Sequence, residues 1–449
     1  MNLLAPQPTT VLFFDHTARM GGGEVSLFNL VTHVDRSKIE PVVVLGSDGE
    51  LRHKLNAAGV EVHVLPMGDD VTEVRKDSLS SASALSFSQI KQIVVYIWRL
   101  RGFMRARGAD IVHANSLKAD IISALAARLG GIPVIWHVRD RIADDYLPPA
   151  AVRGFRLLCR LLPTFVIVNS NATLATLEMP PHRRARVIYN GVVHDGLPPE
   201  EFGDSPLEQF GRPSMHEGVF SSHGASTNGD HPVIGLVGRI TPWKGQDVFL
   251  RAAAQVVEKF PNAKFQIIGS PLFGEEQYER EVRELSNELG LQNYVEWTGF
   301  RRDVPALVSR LTLLVHASRT GEPFGQVVVE AMMAGKPVVA TNGGGIPEIV
   351  LNEETGYLVP MGDADAMAAA IMRVLQEPKK ATAMGKRGQN RAQEHFSIDR
   401  TTHKISRVYD HLLAHQANWS RRKRSFGMIT TGFVLGMSFM SWLMNRRSS

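Results

Sequence analysis

Two carboxylates separated by seven residues stand out first, in Glu322-Pro-Phe-Gly-Gln-Val-Val-Val-Glu330, which runs on as Ala-Met-Met-Ala-Gly-Lys-Pro-Val-Val-Ala. A β-branched run ending near His316 precedes them, so Gly321 to Gly325 are expected to form a strand-to-helix turn whose backbone amides suit an anion. Glu322 falls in that turn and Glu330 on the helix two turns later, so the pair reaches different parts of one extended ligand. Helix-dipole stabilisation accounts for an acid at Glu322 and leaves Glu330 unexplained. A second loop, Gly238-Arg239-Ile-Thr-Pro-Trp-Lys244-Gly245, again lies between a strand and a helix. Its two cations suit a diphosphate, whose departing charge they would offset without a metal.

Weaker signals surround these two. Met20-Gly-Gly-Gly-Glu24 follows the first strand, and Gly22 and Gly23 permit close backbone approach to a phosphate, although the run does not match G-x-G-x-x-G. Gly343-Gly344-Gly345 with Glu348 opens another helix, as a ligand contact or as a tight turn. His113 and His137 stand at strand ends; His137, followed by Arg139 and Asp140, is the stronger functional candidate. Asp363-Ala-Asp365 has the D-x-D form of some metal sites, but at the start of a late helix it reads as a cap, so no metal is expected.

The elements that position these loops alternate. Strands are expected at 11–15, 41–46, 60–66, 110–115, 133–138, 165–169 and 186–190, with helices at 24–34, 51–58, 89–107 and 118–129 between them. Periodicity stops from Gly196 to His231, where Pro, Gly, Ser and His dominate, and this stretch reads as a linker. Strands resume at 233–237, 264–268, 295–298, 311–316, 337–340 and 357–359, each followed by a helix. The order βαβα implies an α/β fold of two Rossmann-like, doubly wound domains, residues 1–195 and 232–395, facing a cleft. Residues 396–420 carry a helix that could cross back over it.

The chain has 449 residues and a single cysteine, Cys159, which excludes an intrachain disulfide and fits a reducing compartment. Its net charge of +5 rests on a tail holding Arg421, Arg422, Lys423, Arg424, Arg446 and Arg447 with no acid; the body is near neutral, so no nucleic-acid partner is implied. Between the two basic clusters run twenty uncharged residues, Ser425 to Met444, enough to span about 30 Å of hydrocarbon as a helix. Residues 421–449 are therefore expected to anchor the protein in a membrane, with the body on the cytoplasmic side by the positive-inside rule. Gly432 and Gly436 form a G-x-x-x-G pair that would let two such helices dimerise. Two basic, apolar stretches in the body, Lys91–Arg107 and Arg153–Leu162, fit either sheet packing with a solvated face or contact with a bilayer.

Together the Gly22–Gly23 turn, the Arg239 and Lys244 loop and the Glu322–Glu330 segment with its continuation resemble the retaining glycosyltransferases of family 4, of GT-B fold. The resemblance covers nearly all of the body. It implies a nucleotide-diphosphate sugar as donor substrate, no cofactor and no metal. It further implies that Gly238, Arg239 and Lys244 hold the diphosphate with amides near Phe324 and Gly325. Glu330 would bind the ribose hydroxyls, Glu322 the donor sugar, and His137 the reacting centre, with Gly22 and Gly23 near phosphate and acceptor. The membrane tail points to a lipid or lipid-linked glycan acceptor. Two other classes compete: a nucleotide-sugar epimerase or phosphorylase, and a membrane-tethered protein that binds glycan or nucleotide sugar without catalysis.

The tail makes a direct prediction. Truncation after Ser420 should move the protein from the membrane to the soluble fraction on cell fractionation, with donor binding retained; unchanged membrane association would remove the anchor assignment.

Overall fold

The computed structural model describes residues 7–68, 87–145, 147–179, 184–193, 231–272 and 274–415. Among them, the first domain is a parallel sheet of β1 (Thr9–Asp15), β2 (Ile39–Leu45), β3 (Glu61–Val64), β4 (Ile111–Ala114), β5 (Val134–Val138), β6 (Phe165–Val168) and β7 (Ala185–Val187), in the order β3-β2-β1-β4-β5-β6-β7. Its crossovers are α1 (Gly22–His33), α2 (Glu50–Ala57), α3 (Phe87–Ala106), α4 (Leu117–Gly130), α5 (Pro149–Leu161) and α6 (Asn171–Thr176). Helices cover both faces, so the central strands read as continuous apolar runs; β5 is buried at every position.

The second domain repeats the plan with β8 (Val233–Val237), β9 (Lys264–Ile268), β10 (Val295–Gly299), β11 (Leu313–His316), β12 (Val338–Thr341) and β13 (Tyr357–Val359), in the order β10-β9-β8-β11-β12-β13. Its helices are α7 (Gln246–Lys259), α8 (Glu276–Glu288), α9 (Val304–Arg310), α10 (Gln326–Met333), α11 (Ile346–Ile349), α12 (Ala364–Gln376) and α13 (Pro378–Phe396). In each sheet the chain order reverses beside the first strand of the domain, between β1 and β4 and between β8 and β11. Ligands of open α/β sheets bind at the carboxyl ends of strands at such a switch point.

The last helix, α14 (Ile398–Ala414), belongs to the core of the first domain: Ile405, Val408, Tyr409 and Leu412 are buried with Val11, Phe13, Leu27 and Leu30. The chain thus passes between the domains twice, and the two passages are bonded to each other. Val192 N donates to Phe396 O at 2.9 Å and Ile398 N to Val192 O at 3.1 Å. Thr401 Oγ1 donates to Tyr189 O, which helps explain why the strand expected over 186–190 closes at Val187. Helix α1 begins at Gly22 instead of Glu24, so Gly22 and Gly23 form its first turn and not a loop ahead of it. Asp363 caps α12 by accepting from Ala366 N at 2.8 Å, as its position in the sequence implied.

Glu348, in the segment read as a ligand contact or a tight turn, reaches across to the other domain. From the second domain it accepts from Asn171 N (2.9 Å) and Ala172 N (2.8 Å), the first amides of α6 in the first domain. Ser170 accepts from Thr173 N at the same terminus, so amides that a helix start leaves without partners are shared between the domains.

The linker at 196–231 falls outside the described residues except for His231, and the tail 421–449 with Gly432 and Gly436 falls outside them entirely. No helix among the described residues is long and apolar enough to cross a membrane. Helix α3, one of the two basic apolar stretches, buries Tyr96, Ile97, Leu100 and Met104 and leaves Val95 and Trp98 about half exposed.

Glu348→Ala removes the bonds its carboxylate accepts from Asn171 N, Asn171 Nδ2, Ala172 N and the Tyr189 hydroxyl, and should cost about 2 kcal/mol or more in urea denaturation at unchanged helix content. A wild-type midpoint would show that this clamp carries no load.

Candidate functional site

Both expected loops of the second domain sit at its switch point. Gly238 follows β8, and the chain turns through Pro242–Lys244 into α7; Gly321 to Gly325 follow β11, the partner of β8. This adjacency brings Lys244 onto Glu322 as a buried ion pair. Ser318 Oγ donates to the same carboxylate oxygen at 2.8 Å, and His316 Nε2 lies 3.1 Å from it. Burial alone would raise the Glu322 carboxyl, yet Lys244 and His316 outweigh it and hold the group well below the usual carboxylate range. Glu322 is therefore an anion placed beside a cation before any ligand arrives.

Around the pair, the Lys244 ammonium lies 4.6 Å from the Trp243 ring centre and the Arg239 guanidinium 5.8 Å from the same ring, so Trp243 gathers both cations. Arg239 also faces Glu275 at 3.9 Å. Gly325 precedes α10 at φ +116, and a Cβ there would stand 2.4 Å from Ile346 Cδ1, so only glycine makes this entry. The Phe324 side chain turns away from the cleft and packs with Tyr189 and Phe396 at the interdomain crossing, leaving its backbone to the site. Glu330, one turn into α10, accepts from Gln326 Nε2 at 3.2 Å, and burial pushes its carboxyl up to about 7.

The first domain contributes a buried polar cluster at the carboxyl ends of β1, β4 and β5. Its centre is Arg139, 9% exposed. Arg139 donates from Nε to Asn115 Oδ1 at 2.8 Å and from Nη1 to Asn190 Oδ1, and its Nη2 lies 3.2 Å from His137 Nδ1. Asn115 in turn donates to Asp15 Oδ2 at 2.7 Å and to Gly23 O at 3.2 Å, tying the guanidinium to the glycine turn. Burial lowers Arg139 to about 10, against the opposing pull of Asp15 and Glu24. Burial, then Asp15, raises Glu24 to about 8. The Asp120 side chain is wholly buried with neither carboxyl oxygen hydrogen-bonded among the described residues, and burial raises its carboxyl well above the usual range.

Of the residues expected from sequence, the structure joins Lys244 to Glu322 directly, Gly238 and Arg239 to them through the β8 loop, and Glu330 to the same helix start. Gly23 and His137 come together through Asn115 and Arg139. His137 itself is 1% exposed and its Nε2 is shielded from solvent, so it lies one layer beneath the cleft and Arg139 is the outer group. The two halves approach where Ser26 Oγ of α1 meets Gln326 Oε1 of α10 at 3.5 Å, and where Arg141 Nη1 donates to Gly321 O at 3.0 Å. Sequence reasoning passed over Asn115, Asn190, His316 and Tyr409 and gave Arg139 no role of its own. The polar residues ending β4 and β11 were the available signal, since a polar residue closing an apolar strand points to the sheet's carboxyl edge.

The model of the glycosyl transferases group 1 matches residues 222–391, and that of glycosyltransferase family 4 matches residues 20–195. The D-inositol 3-phosphate glycosyltransferase of Saccharomonospora viridis is 31% identical over 338 residues, 73% of this chain and 76% of that protein. The GDP-mannose-dependent alpha-(1-6)-phosphatidylinositol monomannoside mannosyltransferase of Mycolicibacterium smegmatis is 32% identical over 179 residues, 38% of this chain and 44% of the relative, less than half of its length. Among solved structures, Anabaena HepE in complex with UDP and glucose superposes with a TM-score of 0.71 at 26% identity, over 89% of this chain and 99% of that one.

The buried pair predicts a measurable cost. Lys244→Ala strands the Glu322 carboxylate and should destabilise the fold by about 3 kcal/mol at neutral pH. Lys244→Ala with Glu322→Gln should recover most of that loss. Because the folded Glu322 is held below its unfolded value of 4.5, the pair's contribution is present above that pH and fades as pH falls through the lowered value. The gap between wild type and Lys244→Ala, followed by chemical denaturation, should accordingly shrink in acid.

Proposed function

Because this chain belongs to the family 4 glycosyltransferases, we propose that it moves a sugar from a nucleotide-diphosphate sugar to an acceptor hydroxyl with retention of anomeric configuration and without a bound metal. The observation that carries this reading is the preformed Lys244–Glu322 pair at the β8–β11 switch point, with Arg239 over the same Trp243 ring as Lys244 and Glu330 on the helix that the Glu322 loop enters. In this reading Arg239 and Lys244 meet the diphosphate, joined by the α10 amides near Phe324 and Gly325. Glu330 accepts from the ribose hydroxyls, and Glu322, displaced from Lys244 as the phosphates arrive, accepts from the donor sugar. Gly22 and Gly23 approach from the facing domain, with His137 acting through Arg139.

The bond between the anomeric carbon and the leaving phosphate oxygen breaks as the acceptor oxygen bonds to the same face. The acceptor's proton passes to the departing diphosphate, whose charge Arg239 and Lys244 offset. The two carboxylates do not flank one glycosidic bond as in a hydrolase; one serves the ribose and the other the sugar.

A lipid or lipid-linked glycan is the proposed acceptor, and a membrane surface the proposed place of work. Three features support it: the apolar tail at 425–444, a phosphatidylinositol monomannoside in the name of one relative, and the outer stripe of α3. That stripe sets exposed Val95 and Trp98 among Lys91, Arg99 and Arg105 with no acid on the helix, the composition that enters an anionic interface. A cavity of about 370 Å³ lined by Met67, Lys91, Val95, Tyr96 and Arg99 opens beside it at the end of β3.

A thermal-shift screen against UDP, GDP and ADP and their sugars tests the donor site. Ligand at about 100 times its dissociation constant should add about 2.7 kcal/mol of apparent stability. The shift should be confined to one nucleotide and lost in Glu330→Ala. Product anomers read by proton NMR should match the donor's configuration and be unaffected by chelator. No shift with any nucleotide would favour the non-catalytic reading, and sugar interconversion without an acceptor the epimerase reading.

A further inference from the structure

Glu322 is gripped through one of its two oxygens. The Lys244 ammonium, the Ser318 hydroxyl (2.8 Å) and His316 Nε2 (3.1 Å) all meet Oε1. Oε2 takes no hydrogen bond from the described residues and is not sealed from solvent. The backbone beneath is fixed as well: Gly345 N donates to Glu322 O at 2.8 Å, and a Cβ on Gly344, which sits at φ +60, would overlap that oxygen. The three donors differ in how firmly they are placed. His316 closes β11 and Ser318 follows it, both buried, whereas Lys244 comes from a separate loop and its side chain is 15% exposed against 8% for that of Glu322. Lys244 is therefore the donor that a ligand in the cleft reaches first and can draw away.

The hydrogens of the cluster follow from its acceptors. An ionised carboxylate only accepts, and the Ser318 hydroxyl donates to it. His316 Nε2 lies 3.1 Å from both Ser318 Oγ and Glu322 Oε1, so a bare Nε2 would set its lone pair against two acceptors; this nitrogen carries a hydrogen. On the far side of the ring, Nδ1 lies 3.1 Å from Thr341 Oγ1 of β12, a hydroxyl that donates to a bare nitrogen or accepts from a protonated one. Both ring nitrogens are thus satisfied. We propose that His316 and Ser318 are positioning residues for the donor sugar: they hold Glu322 by Oε1, independently of Lys244, so that Oε2 stands free to accept from a sugar hydroxyl. The inference rests on the reading that Glu322 meets that sugar. A carboxylate held by Lys244 alone would follow its cation once a diphosphate engaged it. Held by two donors from the end of the preceding strand, it keeps its direction while Lys244 changes partner.

Ser318→Ala with His316→Met removes both donors and tests the grip on the full chain. Titration calorimetry compares a bare nucleotide with its sugar: UDP with UDP-glucose, GDP with GDP-mannose or ADP with ADP-glucose, whichever pair shifts the wild type. The dissociation constant of the bare nucleotide should stay within about twofold, because Arg239, Lys244 and Glu330 are intact. That of the nucleotide sugar should rise about tenfold, the scale of a misplaced hydrogen bond to a charged group. Ser318→Ala with His316→Gln, whose amide can return a donor to the Nε2 position, should recover most of that loss. Equal weakening of both ligands would mark a structural role, and no weakening of either would leave Glu322 positioned by Lys244 alone; each result overturns the proposal. A second measurement needs no ligand. Nitrogen-15 NMR of labelled histidines, with His316 assigned through His316→Gln, should show Nε2 protonated in the wild type, and a bare Nε2 overturns the proposal even where the double variant does not fold. Should no nucleotide bind the wild type, the proposed function fails, and the His316 spectrum still decides whether the grip exists.

Discussion

A charge taken out of water needs a fixed partner, and that constraint organises both walls of this cleft. In the second domain it is met by Lys244 and Glu322, which come from loops after two paired strands and would be far apart in any other strand order. In the first domain it is met by Arg139, held by Asn115, Asn190 and His137 from β4, β5 and the crossing segment. Each set needs the sheet to be in register before its charges can be buried. The parallel topology is thus more than a scaffold beneath the site; strand order is what makes the buried ions tolerable.

The two walls differ in kind. The second domain offers charges paired with each other, Lys244 with Glu322. The first domain sets the Arg139 cation among amides and imidazoles, with the Glu24 and Asp120 carboxyls raised by burial. The interdomain contacts follow the same division. Pro323 O, next to Glu322, accepts from Thr173 Oγ1 at 3.2 Å and from Ser170 Oγ, while Glu348 caps α6, so the loop that carries Glu322 also ties the domains together.

Much of this was legible in the sequence because it is local. Strands buried on both faces are continuous apolar runs, and 233–237, 264–268 and 357–359 coincide with the observed strands residue for residue. Lys244 and Glu322 were visible as chemistry in loops, although not as each other's partner, since a contact between residues 78 apart leaves no local mark. Glu348 was ambiguous for the same reason: its targets lie 176 and 177 positions away. The Gly-rich turn misled by one residue class, glycine reading as loop where the first turn of α1 tolerates it. Tyr409 was invisible, being an aromatic at helical spacing that any core would use; only its hydroxyl, 296 positions from His113, sets it apart.

The place of α14 also bears on how the protein is made. Ile405, Val408, Tyr409 and Leu412 complete a core whose other walls come from the first strands of the chain. A ribosome therefore releases β1 to β7 long before the residues that close one face of their sheet exist. That face, covered in part by α1 and α2, lacks its last helix while the second domain is synthesised. The core of the N-terminal half is therefore completed by residues that follow the second domain in the chain.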